Sequence, residues 1–206
     1  MAGIAQAEKH QVLDALRIVA QQQSQELKPV RFWDLTAAEN HLRIIVSQQD
    51  NVTVTYPRHH PDYGELLSSI LMRPVLSLEV FDGDFWRYRL FTNGHEVDRF
   101  NPIPEYFGEL SKAELHSWHG DAAVVCQHWP NVAQEQIKNY LVRWEECEDG
   151  LGYYLNDFSE KAYPEDAYGV GEAEQVSDFM TKLGLTSPWD EKAWLLADEY
   201  RFENNN

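Results

Sequence analysis

Two short runs in this 206-residue chain carry the side-chain types that hold metal ions. The first is imidazole with carboxylate. His116 and His119 lie three apart in LHSWHGD, with Asp121 and His128 downstream, and together they make a donor set suited to a divalent transition metal. A shared site needs both rings of the H-x-x-H on one helical face, yet Gly120-Asp121 marks a helix start just beyond them. The two histidines are therefore expected in a loop or at the end of a preceding helix, in a structural or solvated role, and no cofactor is expected. His59-His60, between Arg58 and Pro61, is a weaker pair of the same kind. The second run, Asp82-Gly83-Asp84, follows the strand-like LSLEVF and offers two hard oxygen ligands to a divalent cation. An antiparallel strand resumes at once at Phe85, whereas a nucleotide-binding α/β sheet needs a crossover and a helix there. The three residues read as a turn.

A third candidate is the segment GLGYYLNDFSEKAYPEDAYGVGE, Gly150 to Glu172. Its aromatic residues alternate with Asp157, Glu160, Glu165 and Asp166, and ring faces among carboxylates suit a cationic group, a sugar or a basic protein surface. An ordered loop of this length is uncommon without a role. The residues expected to bind a partner are Tyr153, Tyr154, Phe158, Tyr163, Asp166 and Tyr168. Just before them, Glu145, Glu146, Glu148 and Asp149 crowd an expected helix C-terminus, where the macrodipole favours cations. Catalytic signatures are scarce. There is no G-x-S-x-G elbow and no phosphate-binding Walker loop, and GVGE near Gly169 is acidic and lacks lysine. Catalytic residues stay unassigned.

Charge narrows the partners. The chain has 34 acidic against 17 basic residues, net −17. From Leu141 onward 16 acidic face 5 basic residues, so that third carries −11 and the first 140 residues −6. Such a field repels phosphate backbones and anionic membranes, and no Lys/Arg cluster offsets it. A basic protein partner is favoured instead. No run approaches the ~20 apolar residues that span a bilayer. The N-terminus MAGIAQAEKHQ lacks the basic and apolar parts of a secretory signal, which predicts a cytoplasmic protein. Cys126 and Cys147 are too few for a disulfide scaffold.

These residues must be positioned by elements that the pattern also predicts. Leu76 to Asn101 reads as a three-stranded meander. Asn93-Gly94 supplies the two φ > 0 residues of a type I′ turn, which sets Leu90 against Val97, Arg89 against Asp98 and Phe91 against Glu96. A three-residue turn at Asp82–Asp84 sets Val80 against Trp86, Glu79 against Arg87 and Leu78 against Tyr88, leaving one apolar and one ionic face. LRIIVSQ and NVTVTYP predict a hairpin turning at Gln48 to Asn51, preceded by an apolar Phe32-Trp33. Helices are predicted over 5–26, 62–72, 122–129, 132–147 and 173–183, the last closed by Gly184, and a final one starts at Ser187-Pro188 before a frayed asparagine tail.

The fold class is α+β: an N-terminal helix over 1–27, an antiparallel region of about five strands over 28–110, and a helical C-terminal half over 111–206, most economically one domain. In style the meander resembles small antiparallel sheets found in bacterial proteins and in immunity-type interaction proteins; it matches no one family, and no residue-by-residue role carries across. The expected function is a non-catalytic protein-interaction module engaging a basic partner. The alternative is a metal-dependent hydrolase using His116, His119, Asp121 and His128.

Overall fold

A computed structural model describes residues 1–31, 41–47, 50–57, 60–146, 153–154 and 160–204, with backbone alone at 145, 146, 153, 154 and 194. The elements run β1 (Ala2–Ile4), α1 (Lys9–Gln22), β2 (Gln25–Pro29), β3 (Leu42–Val46), β4 (Val52–Thr55), α2 (Gly64–Leu71), β5 (Val75–Phe81), β6 (Phe85–Thr92) and β7 (His95–Phe100). They continue as α3 (Lys112–Ser117), α4 (Ala122–His128), α5 (Gln134–Ile137), β8 (Glu145–Glu146), β9 (Tyr153–Tyr154), α6 (Gln175–Lys182), α7 (Glu191–Leu196) and β10 (Asp198–Asn204). Among the described residues this is an α+β fold with one antiparallel sheet of eight strands, in the order β2-β10-β3-β4-β1-β5-β6-β7, and a separate β8-β9 pair.

The α+β class and the antiparallel sheet agree with the sequence pattern; the strand count does not. Eight strands replace five because three were read as something else. β1 is only Ala2-Gly3-Ile4, yet it lies between β4 and β5, with Ala2 opposite both Val54 and Ser77. The predicted helix over 5–26 is shorter at both ends: α1 begins after Glu8, whose amide donates to the Gln11 side chain at 3.1 Å, and stops at Gln22. Past the buried Val19 and Ala20 nothing apolar continues the stripe, Ser24 turns at φ 58°, and QELKP extends as β2. The third is β10, between the final helix and the asparagine tail, where no strand is predicted; it is flanked by β2 and β3, with Phe202 opposite Leu27 and Glu199 opposite Arg43. Its alternation explains the placement. Tyr200 and Phe202 pack on the apolar core, while Glu199 accepts from Arg43 at 2.7 Å and meets His41 at 3.1 Å.

The C-terminal half is accordingly less helical than predicted. The helix over 132–147 reduces to α5 and a 3-10 turn ending at Tyr140, after which Glu145–Glu146 is strand. The final helix starts three residues late. Asp190 is its N-cap, accepting from the amides of Lys192 and Ala193, while the Ser187 hydroxyl accepts from the amide of Trp189. Other expectations hold. α4 is capped by Asp121 through the Ala123 amide, and α6 buries Val176, Phe179, Met180 and Leu183 before Gly184 at φ 67°.

The chain divides into two compact units. The first comprises Met1–Ser77, Phe91–Glu96 and Gly184–Asn206; the second comprises Leu78–Leu90 and Val97–Leu183. The first unit's core packs Val12, Leu16 and Val19 of α1 with Leu42, Ile44, Val52 and Val54 of the sheet. The second is aromatic: Phe179 stacks on Trp86 at 5.0 Å and on Tyr88 at 5.8 Å, and the Tyr140 ring meets it edge-on at 5.6 Å.

The meander sides are as predicted for β5 and β6. Trp86, Tyr88 and Leu90 are buried, Arg87 and Arg89 are half-buried, and Arg87 donates to Glu79 at 2.6 and 3.0 Å. The pairing of Arg89 with Asp98 needs correction. Asp98 accepts from the Tyr88 hydroxyl at 2.6 Å, and Phe100 meets the Trp86 ring at 5.3 Å, so these two side chains share the apolar face. That face takes Asp98 because the Tyr88 hydroxyl needs an acceptor once buried.

Two outcomes follow for stability. Gly94 sits at φ 78°, and a Cβ added there would come within 2.9 Å of Ser69 Cβ. Gly94→Val should cost ~1 kcal/mol or more, read as a lower denaturant midpoint at unchanged slope. Deleting residues 198–206 should abolish cooperative unfolding, because it strips β2 and β3 of a shared neighbour. A dispensable tail would leave the melt intact.

Candidate functional site

The acidic segment is held by carboxylates turned inward. Asp166 is 4% exposed; it accepts from the Tyr140 hydroxyl at 2.8 Å and the Tyr163 amide at 3.0 Å, and Lys182 Nζ lies 3.5 Å away. Burial and the neighbouring Asp166 carboxylate push the Tyr140 hydroxyl far above its ordinary range. Burial lowers the Lys182 ammonium, but Glu165 and Asp166 outweigh it and hold the pKa above its usual value. Asp178, in the first turn of α6, accepts from the amides of Ala167 and Tyr168 at 3.0 and 2.9 Å. With Val170 N–H donating to the Glu160 carbonyl at 2.7 Å, residues 160–172 are a tied loop.

Of the six residues expected to bind a partner, three fall in this loop and are fully described. Asp166 faces inward. Tyr163 is half-buried beneath Lys182, whose Nζ lies 4.9 Å above its ring. Tyr168 is 36% exposed. Tyr153 and Tyr154 form β9, paired with Glu146 and Glu145, so these glutamates lie on a strand and not at a helix C-terminus. Phe158 lies outside the described residues, as do Cys147 to Asp149. The outward carboxylates of the loop are Glu160, Glu165 and Glu172, joined by Glu174 at the start of α6.

The metal-ligand candidates separate. His116 lies in the last turn of α3 and His119 follows the helix, their ring centroids 5.1 Å apart and both side chains exposed. Burial, then the Arg143 guanidinium and His116, lower the His119 pKa. Asp121 caps α4, and His128 lies in the last turn of that helix. Among the described residues, no group of three or more His, Cys, Asp or Glu side chains is placed to hold a metal. Asp82-Gly83-Asp84 is an exposed turn, with φ 48° and 84° at its first two residues and Asp84 N–H donating to Phe81 O at 2.8 Å. His60 stacks on Phe202 at 4.7 Å and bonds to Tyr63 at 3.1 Å, a packing role; His59 lies outside the described residues.

Two features escaped the sequence reading. Tyr106 and Phe107 are 53% and 52% exposed beside Phe85, and Arg87 lies 5.2 Å over the Phe107 ring. Their signal was local: adjacent aromatics in the polar run PEYFGE. The second feature is a small cleft, partly open to solvent, with Phe85, Trp86, Tyr140 and Trp144 as walls and Glu172 and Gln175 as polar lining. It draws on four separated stretches, so no local motif announces it. Among the described residues no helix is long and apolar enough to cross a membrane.

If Asp166 anchors the loop, Asp166→Ala should destabilise by about 3 kcal/mol, since it leaves the Tyr140 hydroxyl and the Lys182 ammonium short of a partner. Tyr168→Ala should stay within ~0.5 kcal/mol. Chemical denaturation of the two variants checks the contrast. Comparison of the chain with protein-family models, curated proteins and solved structures finds no match.

Proposed function

We propose that this protein is a non-catalytic interaction module that engages a basic protein partner through the acidic, aromatic region of its second unit. The observation that carries the reading is charge. The second unit contains 20 acidic and 8 basic residues, a net −12, which leaves −5 on the first. Several of its cations are already matched: Arg87 with Glu79, Lys138 with Glu135, Arg143 with Glu105, and Lys182 with Glu165. The surplus is therefore not cancelled locally, and exposed Glu160, Glu172 and Glu174 present it near half-exposed Tyr168. A rim of this kind raises the association rate with a basic surface, while aromatic anchors supply the lifetime of the complex.

The test is co-purification from native lysate. A basic protein should be retained at low salt and released at high salt, as the Debye length shrinks below its ~8 Å physiological value. Glu160→Lys with Glu174→Lys, both exposed positions, should abolish retention without changing the melt. Retention indifferent to salt and to both charge reversals contradicts the proposal.

A further inference from the structure

The eight-stranded sheet ends at β2, which among the described residues pairs with β10 alone. The bonding pattern fixes which of its backbone groups that pairing leaves over. Val30 N–H donates to the Glu199 carbonyl at 2.9 Å, one step beyond the opposed pair Pro29 and Tyr200. Antiparallel bonding alternates, so Glu26 and Lys28 turn their N–H and C=O groups toward β10, while Gln25, Leu27 and Pro29 turn theirs away. The outward row therefore holds two donors, from Gln25 and Leu27, and three carbonyls. Pro29 fits this phase, because a sheet tolerates proline where the missing N–H would face outward. Glu26, Lys28 and Pro29 are exposed, whereas the Leu27 side chain joins the core of the first unit.

We propose that this edge pairs with the same edge of a second copy of the chain, antiparallel about a two-fold axis at Leu27. Leu27 N–H donates to the Leu27 carbonyl of the second copy, Gln25 N–H donates to the Pro29 carbonyl of the second copy, and the symmetry repeats both bonds. Side chains select the register. Centring on Leu27 sets Glu26 against Lys28 of the second copy, twice over, on one face of the sheet and leucine against leucine on the other. Centring on Glu26 or on Lys28 opposes like charges, which is unfavourable across an antiparallel pair, and centring on Pro29 removes both central bonds. A short edge carrying lysine and proline resists pairing with other strands, so the self-complementary order of Glu26, Leu27 and Lys28 points to a second copy as the occupant. Lys28 already lies 2.9 Å from Glu203 and 3.4 Å from Glu26 of its own chain, and the incoming glutamate joins that cluster. The edge belongs to the unit that carries −5 rather than −12, where two like-charged copies repel each other less.

Sedimentation equilibrium of the full chain reads the association. One short strand makes a small interface, so the expected dissociation constant is on the order of 100 µM. Glu26→Lys and Lys28→Glu each oppose like charges twice and should weaken self-association about tenfold or more. An equimolar mixture of the two variants makes every cross-strand pair opposite again and should restore it. On the unaltered protein, amide exchange at Gln25 and Leu27 should slow as concentration rises, while Glu26 and Lys28, whose amides already face β10, should not change. A chain that stays monomeric up to about 1 mM overturns the proposal. So does a dimer indifferent to both reversals, a mixture that associates no better than its components, or protection confined to other elements. Should either variant unfold, the exchange measurement decides alone.

Discussion

The Asp166 carboxylate, 4% exposed, is surrounded by the Tyr140 hydroxyl, the Tyr163 amide and the Lys182 ammonium. The Tyr163 amide closes the loop on itself, and the other two contacts tie it to different parts of the second unit: Tyr140 ends the turn after α5, and Lys182 ends α6. A buried carboxylate is tolerable only with such partners, and it fixes them in return. The neighbouring Asp178 adds two loop amides. Asp166 faces inward and Asp178 is half-buried, while Glu160, Glu165 and Glu172 of the loop face water. One set of carboxylates builds the surface, and the other set is the surface.

The same division of labour runs through the aromatic residues. Trp86, Tyr88, Phe100 and Phe179 form the buried stack, with centroids 5.0 to 6.4 Å apart in the packed pairs. Burial and nearby Asp98 push the Tyr88 hydroxyl well above its usual pKa; burial likewise raises Asp98, against the hydrogen bonds it accepts from Tyr88 and the Asp121 and Arg99 amides. Outside this stack, Phe85 is buried but touches the exposed Tyr106 and Phe107. It links core to surface, and the cleft lies along that link.

Much of the fold was legible because side-chain alternation and turn chemistry are local. The Glu79–Arg87 pair, the buried Trp86 and Tyr88, the α6 stripe and the Asp121 cap all follow from neighbours in sequence. The missed strands depended on distant partners. Ala2-Gly3-Ile4 has no propensity to speak of and is strand because β4 and β5 flank it. DEYRFEN carries a period of two, but its partners, β2 and β3, lie at the other end of the sequence. The site was less legible. Composition marked the acidic segment, yet nothing local separates Asp166, turned inward, from Glu165, turned outward.

Partner recognition is proposed to lie on the acidic, aromatic face of the second unit. It has a rival on the same chain. Leu195 and Leu196 of α7 are 82% and 83% exposed, an apolar pair in the first unit. Amide hydrogen exchange on the complex captured from native lysate separates the two surfaces. Slowed exchange is expected across residues 160–175 and 100–107, with α7 unchanged. Protection confined to α7, with the acidic loop exchanging as in the free protein, would contradict it.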